Sequence, residues 1–310
     1  MSGFRFKLLF QVADNVEIGE GCGLADLCND SNTAIVRLLR SNQRHKSSEQ
    51  QNTSNEVVSL HNYSLHGEPY PTKHEAVAAG ERAKFALLAW AVRNKIGIAF
   101  HGGMSSTQTV EPVGESSLFV FLHLLPSLRT SIDEFVHDFA PYFYVVDVPR
   151  KLVLASELYA SSFMDNSPLS CLVTRVTAIE ALIVRNESSS ELKTMLRELR
   201  RIVKCSALSA QDKEQLLNAI GRQKEESIKR AGSRLTYEIL GNRQFGQVSA
   251  VDVFKSLYDI RSKIVHDGSH GLSSRAFEDH STTCNEFVSS LISAAIERFC
   301  HGALGAEVKI

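Results

Sequence analysis

The hydrophobic period of this chain changes once, near residue 150, and that change limits the folds open to it. Upstream, "FRFKLLFQV" (4–12) alternates apolar and polar residues as a half-buried strand does, and "NEVVSLHNYSL" (55–65) reads as another. "KHEAVAAGERAKFALLAWAVRNK" (73–95) is rich in Ala, Leu, Glu and Lys, the composition of one long helix. "IGIAF" (96–100) follows as a strand stopped by Gly102 and Gly103. From about residue 151 the strand signals vanish. "LVLASELYASSFM" (152–164) carries a helical stripe, and Ser167 with Pro168 opens a second helix, "PLSCLVTRVTAIEALIV". "SSELKTMLRELRRIVK" (189–204) and the stretch 209–240 continue in helical period, with Gly221 and Gly232 expected as breaks. Two more helices are expected around 254–268 and 277–300. The expected architecture is an α+β N-terminal domain, residues 1–150 with its end between 110 and 150, then an all-α bundle over 151–310. The chain is mainly α.

Its 310 residues suit two medium domains, and 43% hydrophobic with 22% charged residues allows a sizeable core. A formal net charge of −1 excludes a uniformly basic nucleic-acid glove but permits a local basic face. The six cysteines form no CxxC pair, which leaves neither a zinc knuckle nor a disulfide framework and points to reduced thiols. No signal-peptide pattern opens the chain, and no apolar run reaches membrane-spanning length. A cytoplasmic protein without a membrane partner or cofactor is the expected setting. The polar stretch 40–55 reads as an exposed loop.

The most informative stretch is "FKSLYDIRSKIVHDG" (254–268). On a helical wheel Phe254, Leu257, Tyr258, Ile260, Ile264 and Val265 share one arc, and Arg261 lands roughly 20° from Phe254, inside that arc. A guanidinium buried there needs a partner or a wet cavity. Glu180, in "RVTAIEALI", lies at the edge of the stripe formed by Leu172, Val176, Ile179 and Ile183 and is the best candidate. One reading is thus a structural Arg261–Glu180 ion pair that sets the register of two helices. The other reading adds His266, placed where Asp267 and Gly268 close the helix and where a cation gains from the helix dipole. Arginine grips phosphate oxygens in a fork, and histidine moves protons near neutral pH, so the two side chains suit attack on a phosphodiester.

"LYDIRSKIVHDG", preceded by "SIKRAGSRLTYEIL" and "RVTAIEALI", resembles the Apea-like branch of the HEPN domains over roughly residues 150–300. The order of the three blocks carries more weight than Arg-x4-His alone. The resemblance implies a metal-independent endoribonuclease, composed at a homodimer interface and found in antiviral defence and toxin-like stress systems. Arg261 would hold the scissile phosphate, and His266 would serve the ribose 2′-hydroxyl and the leaving oxygen. Glu180 would support Arg261, with Ser262 and Asp267 beside the two; Ser262 stands where many members have Asn, Asp or His. Other members of the family are non-catalytic and bind ligands or dimerise, which is the alternative for this chain.

RNA is the partner that the resemblance implies. Between Glu191 and Arg243 basic residues outnumber acidic ones by twelve to seven, and Arg230, Arg234 and Lys263 are candidate RNA contacts. A solvated helix surface laced with i,i+4 pairs explains that surplus as well. "HDGSH", with Asp267 and His270 near His266, reads as a solvent-facing turn, and no metal site is expected. "EIGEGCGLAD" (17–26) has Leu24 where a phosphate loop needs its third glycine, so it reads as a turn, as does "FHGGMSS" with His101 at its mouth. Neither GxSxG nor HExxH occurs. Cys171 and Cys205 are expected as packing residues.

Overall fold

Alternation along the first strand builds the sheet. In a computed structural model, residues 3–13, 16–18, 24–30, 34–41, 60–100, 108–112, 128–165, 167–223 and 226–305 are described. Strands β1 (Phe4–Ala13), β2 (Val16–Ile18), β3 (Leu24–Asp30), β4 (Ala34–Ser41) and β5 (Leu60–Tyr70) precede helix α1 (Lys73–Asn94). Then come β6 (Ile98–Phe100), β7 (Gln108–Pro112), β8 (Leu128–Thr130) and α2 (Ile132–Phe143). The main sheet is antiparallel, in the order β3-β4-β5-β1-β6, with β7 also on β1; β2 and β8 form a separate parallel pair. In β1 the residues Phe6, Leu8, Phe10 and Val12 are all buried, as a period of two requires. Register sets Leu8 opposite Leu65 and Phe10 opposite Tyr63, whose rings stack at 5.5 Å.

Thr72 and Glu75 form a capping box that starts α1 at the residue the sequence indicates. Alanines at 76, 79, 83 and 86 bury completely and let the helix backbone lie close to its neighbours. Trp90 meets Phe135 edge-on at 4.9 Å, and Phe135, Phe139 and Phe143 stack along α2. The loop expected at 40–55 lies outside the described residues except for its first two positions, and so does the turn holding His101.

The remaining helices are α3 (Arg150–Ser161), α4 (Pro168–Leu182), α5 (Ser190–Cys205), α6 (Ala210–Arg222), α7 (Ile228–Leu240), α8 (Ala250–Asp267) and α9 (Ser274–Gly305). Lys84 of α1 and Glu157 of α3 form an ion pair that is almost wholly buried. The fold is therefore an α+β N-terminal part followed by a helical part. Two expectations need correction. Strands do recur after residue 151, as a minimal hairpin of β9 (Gln244–Phe245) and β10 (Val248–Ser249). Gly232 does not break a helix but sits inside α7, because any Cβ there would lie 2.1 Å from the Phe254 ring. It is a close-packing glycine, which a breaker rule cannot recognise.

By packing, the chain divides into residues 1–178 with 288–310, and residues 179–287. That line falls within α4 and α9, whereas the boundary expected near residue 150 follows the change of element type. The first unit holds the principal hydrophobic core. In the second, α7 packs on α8, Phe245 meets Phe287 edge-on at 5.3 Å, and α5 packs on α6 as a helical hairpin.

Candidate functional site

Helix α8 carries the site. Its start is fixed by Ser249, whose Oγ accepts from the Asp252 N–H and donates to the Asp252 carboxylate. Its end is fixed by Gly268, at φ +69°, whose N–H donates to the Ile264 carbonyl at 3.1 Å. A left-handed C-cap of this kind favours glycine, and it makes His266 and Asp267 the last turn of the helix. Val253, Phe254, Leu257 and Ile260 are buried along the inner face. Tyr258 and Ile264 are half-buried, and Val265, expected on the same arc, is about half exposed.

Arg261 turns towards α4. Its Nη2 donates to Glu180 Oε2 at 3.1 Å, with side-chain exposures of 22% and 17%. The contact is a single one. Arg261 Nε and Glu180 Oε1 are both buried without a hydrogen-bond partner, so the guanidinium does not present its fork to the carboxylate. Burial pushes the Glu180 carboxyl above the ordinary carboxylate range, while Arg261 pulls it back. A buried pair with unsatisfied atoms on both sides is an expensive arrangement.

His266 is exposed and has no bonding partner among the described residues. Because α8 is helical through both positions, the five-residue step leaves His266 about 140° around the axis from Arg261. The structure therefore joins Arg261 to Glu180 and leaves His266 on a different face of the same helix. Ser262 is half-buried, and Lys263 and Asp267 are exposed. His270 is held in the turn: its ring stacks on Phe277 at 4.4 Å, and its Nδ1 accepts from the Leu272 N–H. Among the described residues no cluster of His, Cys, Asp or Glu is arranged to hold a metal ion, and no helix is long and apolar enough to cross a membrane.

The two basic candidates on α7 have different surroundings. Arg230 is 84% exposed and lies 3.8 Å from Glu226. Arg234 is woven into the structure, with Nη2 donating to Glu226 Oε2 at 3.0 Å and to the Val184 carbonyl at 2.8 Å, and Nη1 to Glu238. Lys229 is likewise held by both carboxylate oxygens of Asp259. Residues 226–234 thus fasten α7 to the chain that leaves α4, a role that sequence reading missed. The spacing Glu226–Arg230–Arg234, four residues at each step, is the signal that could have shown it.

Cys171 is half-buried, its Sγ 3.3 Å from the Asp165 carbonyl, and burial raises its thiol above the usual cysteine range. That is opposite to what a nucleophile needs. Cys205 departs from expectation, since it is exposed at the last position of α5 rather than packed. A lone arginine in an apolar helix face, held by one oxygen of a half-buried carboxylate, with an exposed histidine one and a half turns further on, can grip an anion and exchange a proton. Comparison with protein-family models, with curated proteins and with solved structures finds no match for this chain.

Proposed function

We propose that this chain is a metal-independent endoribonuclease of HEPN type that acts as a homodimer, in the setting of phage defence or a toxin-like stress response. The observation that carries the reading is the incomplete Arg261–Glu180 pair at 3.1 Å, with a buried guanidinium nitrogen unpartnered beside it. A pair built only for stability gains most from two parallel bonds, whereas one bond to a carboxylate with a raised pKa is easily exchanged for phosphate. In this reading His266 takes the proton from a ribose 2′-hydroxyl, and the 2′-oxygen attacks phosphorus. The P–O5′ bond breaks, and the departing 5′-oxygen receives the proton from the His266 imidazolium. The product carries a 2′,3′-cyclic phosphate, and Arg261 holds the charge that builds on the phosphoryl oxygens.

The angle of about 140° between the two side chains supports a dimeric site. One copy cannot easily aim both groups at a single phosphate from a regular helix, but two α8 helices related by a two-fold axis can pair the Arg261 of one with the His266 of the other. The half-exposed Val265, four residues beyond Arg261, supplies an apolar contact for such a pairing. Mixing Arg261→Ala and His266→Ala proteins tests this. Each alone is expected to be inactive, and the mixture should regain cleavage through hybrid dimers that hold one intact site. A mixture as inert as its parts contradicts the shared site.

The second reading is a binding or dimerisation module in which Arg261 and Glu180 only fix α8 against α4. The observation in its favour is the pair itself, which already gives the buried guanidinium a counter-charge. In that case His266→Ala is silent in every assay, and Arg261→Ala loses stability alone.

A further inference from the structure

Two cationic side chains are buried among the described residues, and only one of them is answered by an acid. Lys84 is paired with Glu157. Arg175 of α4 is 9% exposed and forms no ion pair among the described residues. Its Nε donates to Ser162 Oγ at 3.1 Å, and its guanidinium lies over the Phe163 ring, 4.6 Å from the centroid. Nη1 and Nη2 make no bond among the described residues, yet neither is buried, so the outer edge of the fork meets water. A guanidinium that has lost most of its water and gained no counter-charge is costly to keep in a fold.

The surroundings hold that fork in place. Ser162 lies in the 3₁₀ turn after α3, and its hydroxyl donates to the Tyr159 carbonyl at 2.7 Å, which leaves its oxygen to accept from Arg175. Tyr159 meets Phe163 edge-on at 5.3 Å and steadies the ring on which the guanidinium rests. The local charge states what the fork takes. Asp165 is the acid of this corner, and its carboxylate accepts from Ser170 Oγ at 2.6 Å while its carbonyl accepts from the Cys171 thiol at 3.3 Å. Burial raises the Cys171 thiol, so it stays neutral and adds no charge. A phosphate dianion would set its second charge against Asp165. A phosphodiester is singly charged but carries a sugar on each side, too bulky for so deeply set a side chain. A carboxylate brings one charge and two coplanar oxygens, which match the edge of a guanidinium.

We propose that Arg175 is the recognition residue of a binding site for a small organic acid, held by its carboxylate. The two carboxylate oxygens accept from Nη1 and Nη2, and the ligand supplies the counter-charge that the chain omits. Ser162 and Phe163 keep the guanidinium in the orientation that the ligand meets. A group kept for binding at a cost in stability is a common feature of functional sites. This inference is independent of the nuclease reading and stands or falls without it.

The test uses the full chain and acetate labelled with carbon-13 in its carboxyl group, titrated at constant ionic strength and followed by the broadening of its NMR signal. Acetate is expected to bind saturably, and about tenfold more weakly in Arg175→Met, the loss of one charge-assisted pair. Without acetate, Arg175→Met should unfold at the same temperature as the unaltered chain or higher, because it removes an unanswered buried charge. Inorganic phosphate should displace labelled acetate less well than unlabelled acetate does. Acetate that does not bind, or that binds Arg175→Met equally well, overturns the proposal. So does an Arg175→Met protein that unfolds earlier or fails to fold, because the arginine would then be structural. Tighter competition by phosphate, or by a peptide with a free C-terminal carboxylate, overturns it as well, since the fork would then serve a phosphoryl group or a partner chain.

Discussion

The two packing units are held together by different means. Of the twelve largest completely buried side chains among the described residues, ten lie in residues 1–178, and Phe254 and Phe287 lie in residues 179–287. The first unit is fixed by volume, as aromatic rings stack along α2 and meet Trp90 edge-on, and the faces of β1 alternate cleanly. The second is fixed by close backbone approach at Gly232, by serine caps on α5, α6, α7 and α8, and by the bonds that converge on Glu226. A unit with so little bulk in its core has little to spare for a buried charge that contributes nothing. That makes the Arg261–Glu180 pair the informative feature of the second unit, and the same logic ranks the consequences of changing each part.

The largest loss is expected in the first unit. Phe139→Ala removes a wholly buried ring and should cost about 3–5 kcal/mol, read as protection lost in hydrogen exchange across α2 and β1. Next comes Arg261→Ala, which leaves Glu180 half-buried without its counter-charge and should cost about 3 kcal/mol in the second unit. The double variant Arg261→Met with Glu180→Leu should recover most of that loss, because it removes the charges together. If the double variant is as unstable as the single one, shape rather than charge holds this pair. Gly232→Ala forces α7 away from Phe254 and should cost about 2 kcal/mol. A smaller loss from Gly232→Ala than from a surface alanine-to-serine change would undo the claim that close approach holds the second unit.

The smallest effect concerns pH, and its sign differs between two carboxylates. Arg234 holds the Glu226 carboxyl below its ordinary value, so Glu226 contributes stability above the unfolded value of about 4.3 and loses it as pH falls through the lower folded value. Glu180 is the reverse. Its raised folded value means that the ionised form costs stability at neutral pH, and the cost is relieved as pH falls through that value. Acid titration of the second unit should therefore show a mild gain before the loss, and Glu226→Gln should flatten only the second part. A monotonic decline from neutral pH would contradict the assignment of burial as the dominant influence on Glu180.

Much of this was legible in the sequence for a simple physical reason: periodicity reports burial. Phe4–Val12 declares itself by alternation, the long α1 by its helix-forming composition, and α4 by its Ser167–Pro168 start. The Arg261–Glu180 partnership was legible because an arginine in a greasy arc must be answered by an acid at the edge of another. What stayed hidden depends on three-dimensional neighbours. Gly232 looks like a breaker until Phe254 is set against it, and Val265 looks like core although it stands at the end of the helix. The reach of Glu226 to α4's exit depends on a clasp between residues about forty positions apart.

The central claim is best tested by incubating purified protein with mixed RNA in EDTA, beside a folded His266→Ala variant, and reading the 3′ ends. The account predicts cleavage by the unaltered protein alone, with 2′,3′-cyclic phosphate ends and no dependence on divalent ions. Cleavage that persists in His266→Ala, or that requires a metal, would contradict it.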